Sequence, residues 1–208
     1  MVVSFLNLKG GVGKSTLAVH FAVWLTMQGK HVAVVDADAQ HSASLWLQEA
    51  EPTVRIFPLH DPDDIVDQVP RLAKQFDSVV IDVPPQLSEL SRVTLLRSDI
   101  AVVICGPGAL DVQASSAAVR VVRQAQDIRG GQPKALFVPN KIQVNTLLSA
   151  DLLETATEIG IPMVTVPVRL RQVYADAPGQ GTTVFRMGPR AKVAAEELNA
   201  LFEEVVNG

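Results

Sequence analysis

The sequence predicts an α/β fold, a doubly wound and mainly parallel sheet with helices on both faces. The first observation is that short, nearly continuous apolar runs such as Val2–Leu6 recur along the chain. Such runs are typical of strands that are covered on both faces. The second observation is that segments with apolar residues at helical spacing separate these runs. Because right-handed helical crossovers join parallel strands, this alternation favours a parallel sheet between two helical layers.

The first half of the chain is expected to alternate regularly between strands and helices. Apolar runs predict strands at residues 2–6, 31–36, 54–59 and 77–82. Helical spacing predicts the intervening helices at residues 15–28, 42–51 and 61–75. Gly29 is a natural C-cap for the first helix, and Asp61-Pro62 is an N-terminal signal for the third.

The second half continues the same alternation. We expect strands at residues 100–105, 135–138 and 164–166. We expect helices at residues 90–97, 111–129, 150–159 and 189–206. Residues 169–183 are expected to be rich in loops. The last helix carries apolar residues on one face and glutamates elsewhere, so we expect it to pack on the domain.

Length and composition limit the possible classes of protein. The 208 residues suffice for a sizeable core, and we expect a single domain over residues 1–208. A hydrophobic content of 48% argues against intrinsic disorder. The single cysteine, Cys105, excludes a disulfide framework within one chain and is consistent with a reducing, cytoplasmic setting. No signal peptide is expected because Met1 leads into the first strand, and no apolar run approaches the roughly 20 residues of a bilayer-spanning helix.

The segment between the first strand and the first helix has the composition of a phosphate-binding loop. Its glycines let backbone N–H groups approach an anion closely, and the following helix start adds partial positive charge. Lys14 is expected to reach the β- and γ-phosphates, and the Ser15 hydroxyl is expected to bind Mg²⁺. The residues predicted to contact the nucleotide here are Gly10, Gly11, Val12, Gly13, Lys14, Ser15 and Thr16.

This loop departs from the common P-loop pattern in two ways. Leu8 stands where the pattern has its first glycine, and a second lysine, Lys9, precedes the glycines. The run K-G-G-V-G-K-S-T resembles the deviant Walker A motif of the ParA/MinD superfamily of ATPases. That resemblance implies a homodimer that forms on ATP binding, in which Lys9 reaches across the interface to the partner's nucleotide.

Acidic residues follow two further predicted strands. Asp82 closes an apolar run in the manner of a Walker B motif and is expected to hold Mg²⁺. The run V-V-D-A-D-A-Q resembles the second nucleotide loop of the same superfamily, which implies that Asp38 polarises the attacking water. Asp36 is the competing candidate for this catalytic role. Its alternative role is a contact to Mg²⁺ or to Lys14. Pro84-Pro85 matches the superfamily's switch II. The predicted catalytic residues are therefore Lys9, Lys14 and Asp38.

Base recognition is predicted at Asn140-Lys141. This pair resembles the N-K element of P-loop proteins, in which guanine-specific members have an acidic residue two positions after the lysine. Gln143 stands at that position. Because it lacks the carboxylate that accepts from guanine, adenine is favoured, with Asn140 as the adenine contact. The expected cofactors are ATP and Mg²⁺.

A basic segment near the end of the chain predicts DNA binding. The net charge of -4 means that nucleic-acid binding needs a local basic patch. The segment from Arg169 to Gly181 resembles the corresponding region of ParA-type partition proteins. Between positions 169 and 192, Asp176 is the only acid, against the predicted DNA-binding residues Arg169, Arg171, Arg186, Arg190 and Lys192. Phosphate contacts by such residues suffice for non-specific binding.

The resemblance implies a ParA-type ATPase that positions cargo on nucleoid DNA in the cytoplasm. The cargo would be a plasmid, a chromosome origin, a carboxysome or another assembly, and a ParB-like or other adaptor would stimulate hydrolysis. The alternative is a metabolic enzyme similar to dethiobiotin synthetase. Other relatives fit less well. The nitrogenase iron protein needs two cysteines per subunit for its cluster, and this chain has one. Bacterial tyrosine kinases end in a cluster of tyrosines, whereas Tyr174 is the only tyrosine here. The acidic last helix disfavours MinD-like membrane binding. A P-loop within the first residues leaves no room for an N-terminal helix-turn-helix.

Overall fold

The β-sheet is parallel throughout, and its strands follow the order β3-β2-β4-β1-β5-β6. The computed structural model describes residues 1–86, 88–143, 146–156 and 159–207. The strands are β1 (Val2–Leu6), β2 (Val32–Asp36), β3 (Arg55–Pro58), β4 (Ser78–Asp82), β5 (Ile100–Cys105) and β6 (Lys134–Pro139). This sheet confirms the predicted fold class.

Helices cover both faces of the sheet. They are α1 (Lys14–Met27), α2 (Ser42–Ala50), α3 (Pro62–Gln75), α4 (Glu89–Arg97), α5 (Ala109–Ile128), α6 (Leu147–Ala156), α7 (Gln172–Gly179) and α8 (Lys192–Asn207). One apolar cluster joins α1, α2 and α8 to one face, and a second joins α3, α4 and α5 to the other. Among the described residues, no helix combines the length and apolar character needed to cross a membrane.

Successive strands are added on one side of β1 first and on its other side afterwards, and this change of side creates the binding crevice. The chain first leaves β1 towards β2 and β3, returns to β4, and then crosses to β5 and β6. The carboxyl ends of β2, β4 and β1 therefore lie side by side. Asp36 pairs in register with Asp82, which in turn pairs with Phe5 next to the P-loop. In open parallel sheets, ligands bind at this kind of edge.

Two predictions about the region after β6 are wrong. Residues 164–166 do not form a strand, because the backbone N–H of Thr165 donates to the Glu204 carboxylate instead of a neighbouring strand. In the described part of the chain, the isolated bridges in this region join Phe137 of β6 to Met163 and Ile142 to Arg169. Residues 169–183 are not mainly loop, since they contain α7.

The remaining element predictions agree with the structure to within a few residues. Helix α6 begins at Leu147, earlier than expected, and residues 157–158 of the predicted helix lie outside the described residues. Helix α8 begins at Lys192 because residues 188–191 form a separate 3₁₀ turn. A second 3₁₀ turn spans Val184–Arg186.

Candidate nucleotide-binding and catalytic site

The P-loop wraps the N-terminus of α1, and its backbone requires glycine at two positions. Gly11 and Gly13 have φ angles of 75° and 105°, in a region that side chains with a Cβ rarely adopt. A Cβ on Gly13 would also lie 2.2 Å from Asn140 Nδ2. These constraints keep the backbone close to the helix start, where free N–H groups favour an anion.

The two lysines of the loop have different surroundings. Lys14 is buried, and its Nζ donates to the carbonyl oxygen of Lys9 over 3.0 Å. Burial lowers the pKa of Lys14, while the charges of Asp82 and Asp38 oppose this effect. The Lys9 side chain is 40% exposed, and its Nζ lies 2.5 Å from Asp111 Oδ1 on α5. Lys14 therefore points into the loop, whereas Lys9 is tied to a neighbouring helix.

Asp82 has the properties of a metal ligand. Its carboxylate is buried, and neither oxygen has a hydrogen-bond partner among the described residues. Burial raises the pKa of Asp82 to about 7; Asp36 and Asp38 add to this, while Ser15 and Lys14 oppose it. The Ser15 hydroxyl is near enough to lower the pKa but is not placed to donate a well-formed hydrogen bond. A buried carboxylate with two free oxygens beside a hydroxyl suits Mg²⁺, which prefers oxygen ligands.

Asp36 and Asp38 have separate roles. Asp36 is fully buried, and its Oδ2 accepts from the Ser44 N–H at 2.9 Å and the Ser44 hydroxyl at 2.6 Å. Its Oδ1 accepts from the N–H of Asp38 at 3.2 Å. Asp38, in contrast, lines the open cleft beside the P-loop. Asp36 therefore holds the start of α2 in place, and Asp38 is the carboxylate that lines the cleft.

Two adjoining cavities form the binding site. A cleft of about 460 Å³ runs along the P-loop and is lined by Lys14, Ser15, Asp38 and Pro85 among others. A smaller cavity of about 190 Å³ lies beside it. Residues 168–171, Tyr174 and Asn140 line the smaller cavity. Both cavities share Gly13, Thr16 and Lys141. We call them the phosphate cleft and the nucleoside pocket.

Asn140 joins the wall of the nucleoside pocket to the P-loop backbone. Its Nδ2 donates to the Val12 carbonyl at 2.7 Å, and its Oδ1 accepts from the Lys141 N–H at 2.9 Å. The Lys141 Nζ in turn donates to the Gly11 carbonyl at 2.6 Å. The pair therefore supports the P-loop backbone as well as lining the nucleoside pocket. Adenine recognition by Asn140 stays a prediction.

Comparison with known proteins assigns this site to a family. The family model for the CobQ/CobB/MinD/ParA nucleotide binding domain matches residues 3–184. The chain belongs to this family. It is 31% identical over 205 residues to the maintenance of carboxysome distribution protein A of Halothiobacillus neapolitanus, covering 96% of this chain and 94% of that protein. It is 24% identical over 262 residues to the sporulation initiation inhibitor protein Soj of Bacillus subtilis, covering 100% and 99%.

Solved structures share the fold of this ParA/MinD relative. An ATP complex of McdA from Cyanothece superposes with a TM-score of 0.81 at 17% identity, covering 99% of this chain and 95% of that one. MinD of Pyrococcus horikoshii with Mg-ADP also gives 0.81, at 20% identity with coverage of 99% and 96%. The chain is an ATPase of the ParA/MinD superfamily, as its family model indicates. The glycine-dependent loop and the buried Asp82 carboxylate fit ATP and Mg²⁺, the cofactors that the sequence predicts.

The basic residues of this ATPase do not form one free patch. Arg186 donates to the Ala50 carbonyl and pairs with Glu51. Arg171 pairs with the buried Glu197. Arg190 bonds to the side chain of Gln180, and Lys192 lies 3.9 Å from Glu196. Arg169 is exposed at the edge of the nucleoside pocket. Their role in DNA binding stays a prediction.

Several residues near this ParA/MinD site were not predicted. Asp111 pairs with Lys9, Ser44 holds Asp36, and Tyr174 lines the nucleoside pocket. Lys141 was noticed only as part of a motif, although it contacts the P-loop. The position of Asp111 at the start of a helix after Gly108 was a usable signal, because helix starts after strands lie at the ligand edge. No local pattern marks Tyr174.

Proposed function

We propose that the chain is a ParA-type positioning ATPase that forms a sandwich dimer on binding ATP. The observation that supports this most is the placement of Lys9. Lys14 lines the phosphate cleft, whereas Lys9 is outside the lining of that cleft and pairs with Asp111. Because the bridge is part-exposed, breaking it costs little. Lys9 is then free to reach the nucleotide of a second subunit.

In this proposal, Asp38 orients the water that attacks the γ-phosphate. Its carboxylate is open to the phosphate cleft, while the neighbouring Asp36 is occupied by Ser44. Lys14 neutralises charge on the phosphates from inside the loop. Ser15 and Asp82 would hold Mg²⁺, which would neutralise negative charge on the phosphate oxygens. Hydrolysis is slow without a partner, because a timing switch needs a long-lived ATP state.

Non-specific DNA binding is the second part of the proposal. Arg169, Arg190 and Lys192 are exposed and supply the main phosphate contacts. Arg171 and Arg186 contribute only after leaving Glu197 and Glu51. A dimer doubles the number of contacts, so it binds DNA much more tightly than a monomer does. The ATPase is therefore associated with the nucleoid when ATP is bound.

The proposed cargo is a protein organelle of the carboxysome type. The relative that is 31% identical carries the name of a carboxysome distribution protein. Chromosome partition, which the name of a Soj relative at 24% identity mentions, is one alternative, and plasmid partition is another. An adaptor on the cargo stimulates hydrolysis and releases the dimer from DNA.

The deciding experiment measures mass and DNA binding in parallel. Light scattering should give a dimer with Mg-ATP and a monomer with Mg-ADP. A mobility assay with unrelated duplexes should show binding only with Mg-ATP, and DNA should stimulate ATP hydrolysis. A monomer in every nucleotide state, with DNA-independent turnover, would instead favour an ATP-dependent metabolic enzyme similar to dethiobiotin synthetase.

A further inference from the structure

One buried carboxylate connects the last helix to the nucleoside pocket. Glu197 lies on α8, and its side chain is 7% exposed. Its Oε1 accepts from the backbone N–H of Arg169 and from the Tyr174 hydroxyl, both at 3.0 Å. Its Oε2 accepts from the Arg171 guanidinium at 3.1 Å. A single side chain therefore holds a backbone group, a phenol and a guanidinium.

All three of these partners line the nucleoside pocket, and Glu197 does not. Arg169, Arg171 and Tyr174 belong to the wall of that cavity. The Tyr174 hydroxyl also donates to the Ala194 carbonyl at 3.2 Å. Burial and the Glu197 charge raise the pKa of Tyr174, so the phenol stays protonated and remains a donor. Glu197 thus determines where this wall stands without contacting what the pocket holds.

We propose that Glu197 is a positioning residue for the nucleoside part of the nucleotide. It holds the segment from Arg169 to Tyr174 in the position from which this wall contacts the nucleoside. This inference depends on nucleotide binding, which belongs to the family, and not on dimerisation, DNA or cargo. The C-terminal helix is thereby part of the nucleotide site, although its sequence carries no nucleotide-binding motif.

Removing the carboxylate disturbs all three partners together. The Arg171 charge loses its counter-ion, and the Nε of that residue is already buried without a hydrogen-bond partner among the described residues. The Arg169 N–H also loses its acceptor, and the Tyr174 hydroxyl keeps only the Ala194 carbonyl. Buried donors without partners are costly, so the wall rearranges towards water or towards the open pocket. A wall in several positions binds a nucleoside more weakly because ordering it opposes binding.

The same helix supplies a matched control. Glu204 lies two turns after Glu197 and binds the Thr165 N–H with both carboxylate oxygens, at 3.0 and 2.9 Å. It also accepts from the Thr165 hydroxyl at 2.8 Å. Thr165 does not line the nucleoside pocket. Glu204→Ala therefore removes a comparable clamp on α8 without touching the wall.

The test compares ADP with inorganic tripolyphosphate by calorimetry in the presence of Mg²⁺. ADP contains the nucleoside, whereas tripolyphosphate occupies only the phosphate cleft. Glu197→Ala should weaken ADP binding about tenfold or more, and Glu204→Ala should change it less than about twofold. Tripolyphosphate affinity should stay within about twofold of the unmodified protein in both variants.

Two outcomes would overturn the inference. The first is equal ADP affinity in the two alanine variants. The second is an equal loss of ADP and tripolyphosphate affinity in Glu197→Ala, which would mean general damage to the P-loop. If Glu197→Ala does not fold, Glu197→Gln and Tyr174→Phe take its place, since each removes only part of the contacts. Each should weaken ADP binding by a smaller factor than tenfold, and unchanged ADP affinity in both would also overturn the inference.

Discussion

Lys9 and Asp111 form a salt bridge within one subunit, with 2.5 Å between Nζ and Oδ1. Asp111 also accepts from the Gly108 N–H at 3.1 Å through its other oxygen, so it caps α5 at the same time. The lysine that distinguishes this P-loop is therefore held by the helix that follows β5. For Lys9 to serve a partner subunit, this bridge must break.

Weakening that bridge should favour the dimer. Asp111→Asn removes the charge but keeps an oxygen that can cap α5. A part-exposed ion pair contributes at most about 1 kcal/mol, so releasing one in each subunit should strengthen ATP-dependent dimerisation by about two- to thirtyfold. Sedimentation of a concentration series with Mg-ATP measures the change.

Lys9→Ala tests the role of Lys9 directly and should abolish the ATP-dependent dimer with the fold intact. A normal Lys9→Ala dimer would remove the basis for a role of Lys9 across the interface.

Asp38 and Asp36 should respond differently to substitution. Asp38→Ala should still bind Mg-ATP, because the phosphate cradle is unchanged, but turnover should fall by about 100-fold or more. Asp36→Ala should instead lower thermal stability, because Ser44 loses its buried acceptor. Phosphate release and thermal unfolding, measured on both variants, separate the two roles. Unchanged turnover in Asp38→Ala would move the catalytic role to another residue.

His20 should make folding stability depend on pH. Its Nδ1 lies 2.7 Å from the Thr16 carbonyl, and its Nε2 accepts from the Val184 N–H at 3.2 Å, so the buried ring is neutral and protonated on Nδ1. Burial lowers the pKa of His20 from 6.5 to about 4, against the opposing Thr16 contact. Below pH 6.5 the unfolded chain binds a proton that the folded chain does not. The contribution to stability is therefore complete above pH 6.5 and is lost as pH falls towards 4.

The expected loss between pH 6.5 and pH 4 is about 3 kcal/mol. Urea unfolding at several pH values measures it. His20→Phe keeps a ring but no titratable group. The variant should be less stable than the unmodified protein at neutral pH, but its stability should fall less steeply as the pH is lowered. Identical slopes in His20→Phe and the unmodified protein would show that another group is responsible.

The part of the site that was predicted depends on local sequence. The P-loop follows β1 directly, and its glycines, lysine and serine are consecutive, so one short segment defines the phosphate cleft. Asp82 was found because an apolar run ends at an acid. These features follow from strand and turn chemistry and need no knowledge of distant contacts.

The parts that were missed depend on contacts between distant segments. Arg186 was predicted to face DNA, but it bonds to Glu51 and to the end of α2. Arg171 bonds to Glu197, which is buried although glutamate is usually exposed. The failed strand at residues 164–166 has the same origin, since Glu204 takes the Thr165 N–H. The hydrophobic pattern of one segment does not show which distant side chain will bond to it in the folded protein.

DNA binding should distinguish Arg169 and Lys192 from Arg186, which is bonded to Glu51 and to the end of α2. Each phosphate contact contributes about 0.9 to the slope of log affinity against log salt. Arg169→Ala or Lys192→Ala removes one contact from each subunit, so the slope should fall by about 2 in the dimer. Lys192→Ala should leave ATP-driven dimerisation unaffected, because Lys192 lines neither the phosphate cleft nor the nucleoside pocket. Filter binding to unrelated duplexes over a salt series gives the slope for each variant.

Arg186→Ala tests whether Arg186 stabilises the fold or contacts DNA. Arg186 donates to the last carbonyl of α2 and pairs with Glu51, so its loss should cost about 1 kcal/mol of folding stability. The salt slope should change little, because the guanidinium is engaged before DNA arrives. If Arg186→Ala lowers the slope as much as Lys192→Ala does, while its thermal stability is unchanged, Arg186 leaves Glu51 for DNA. The basic surface would then form only in the DNA-bound state.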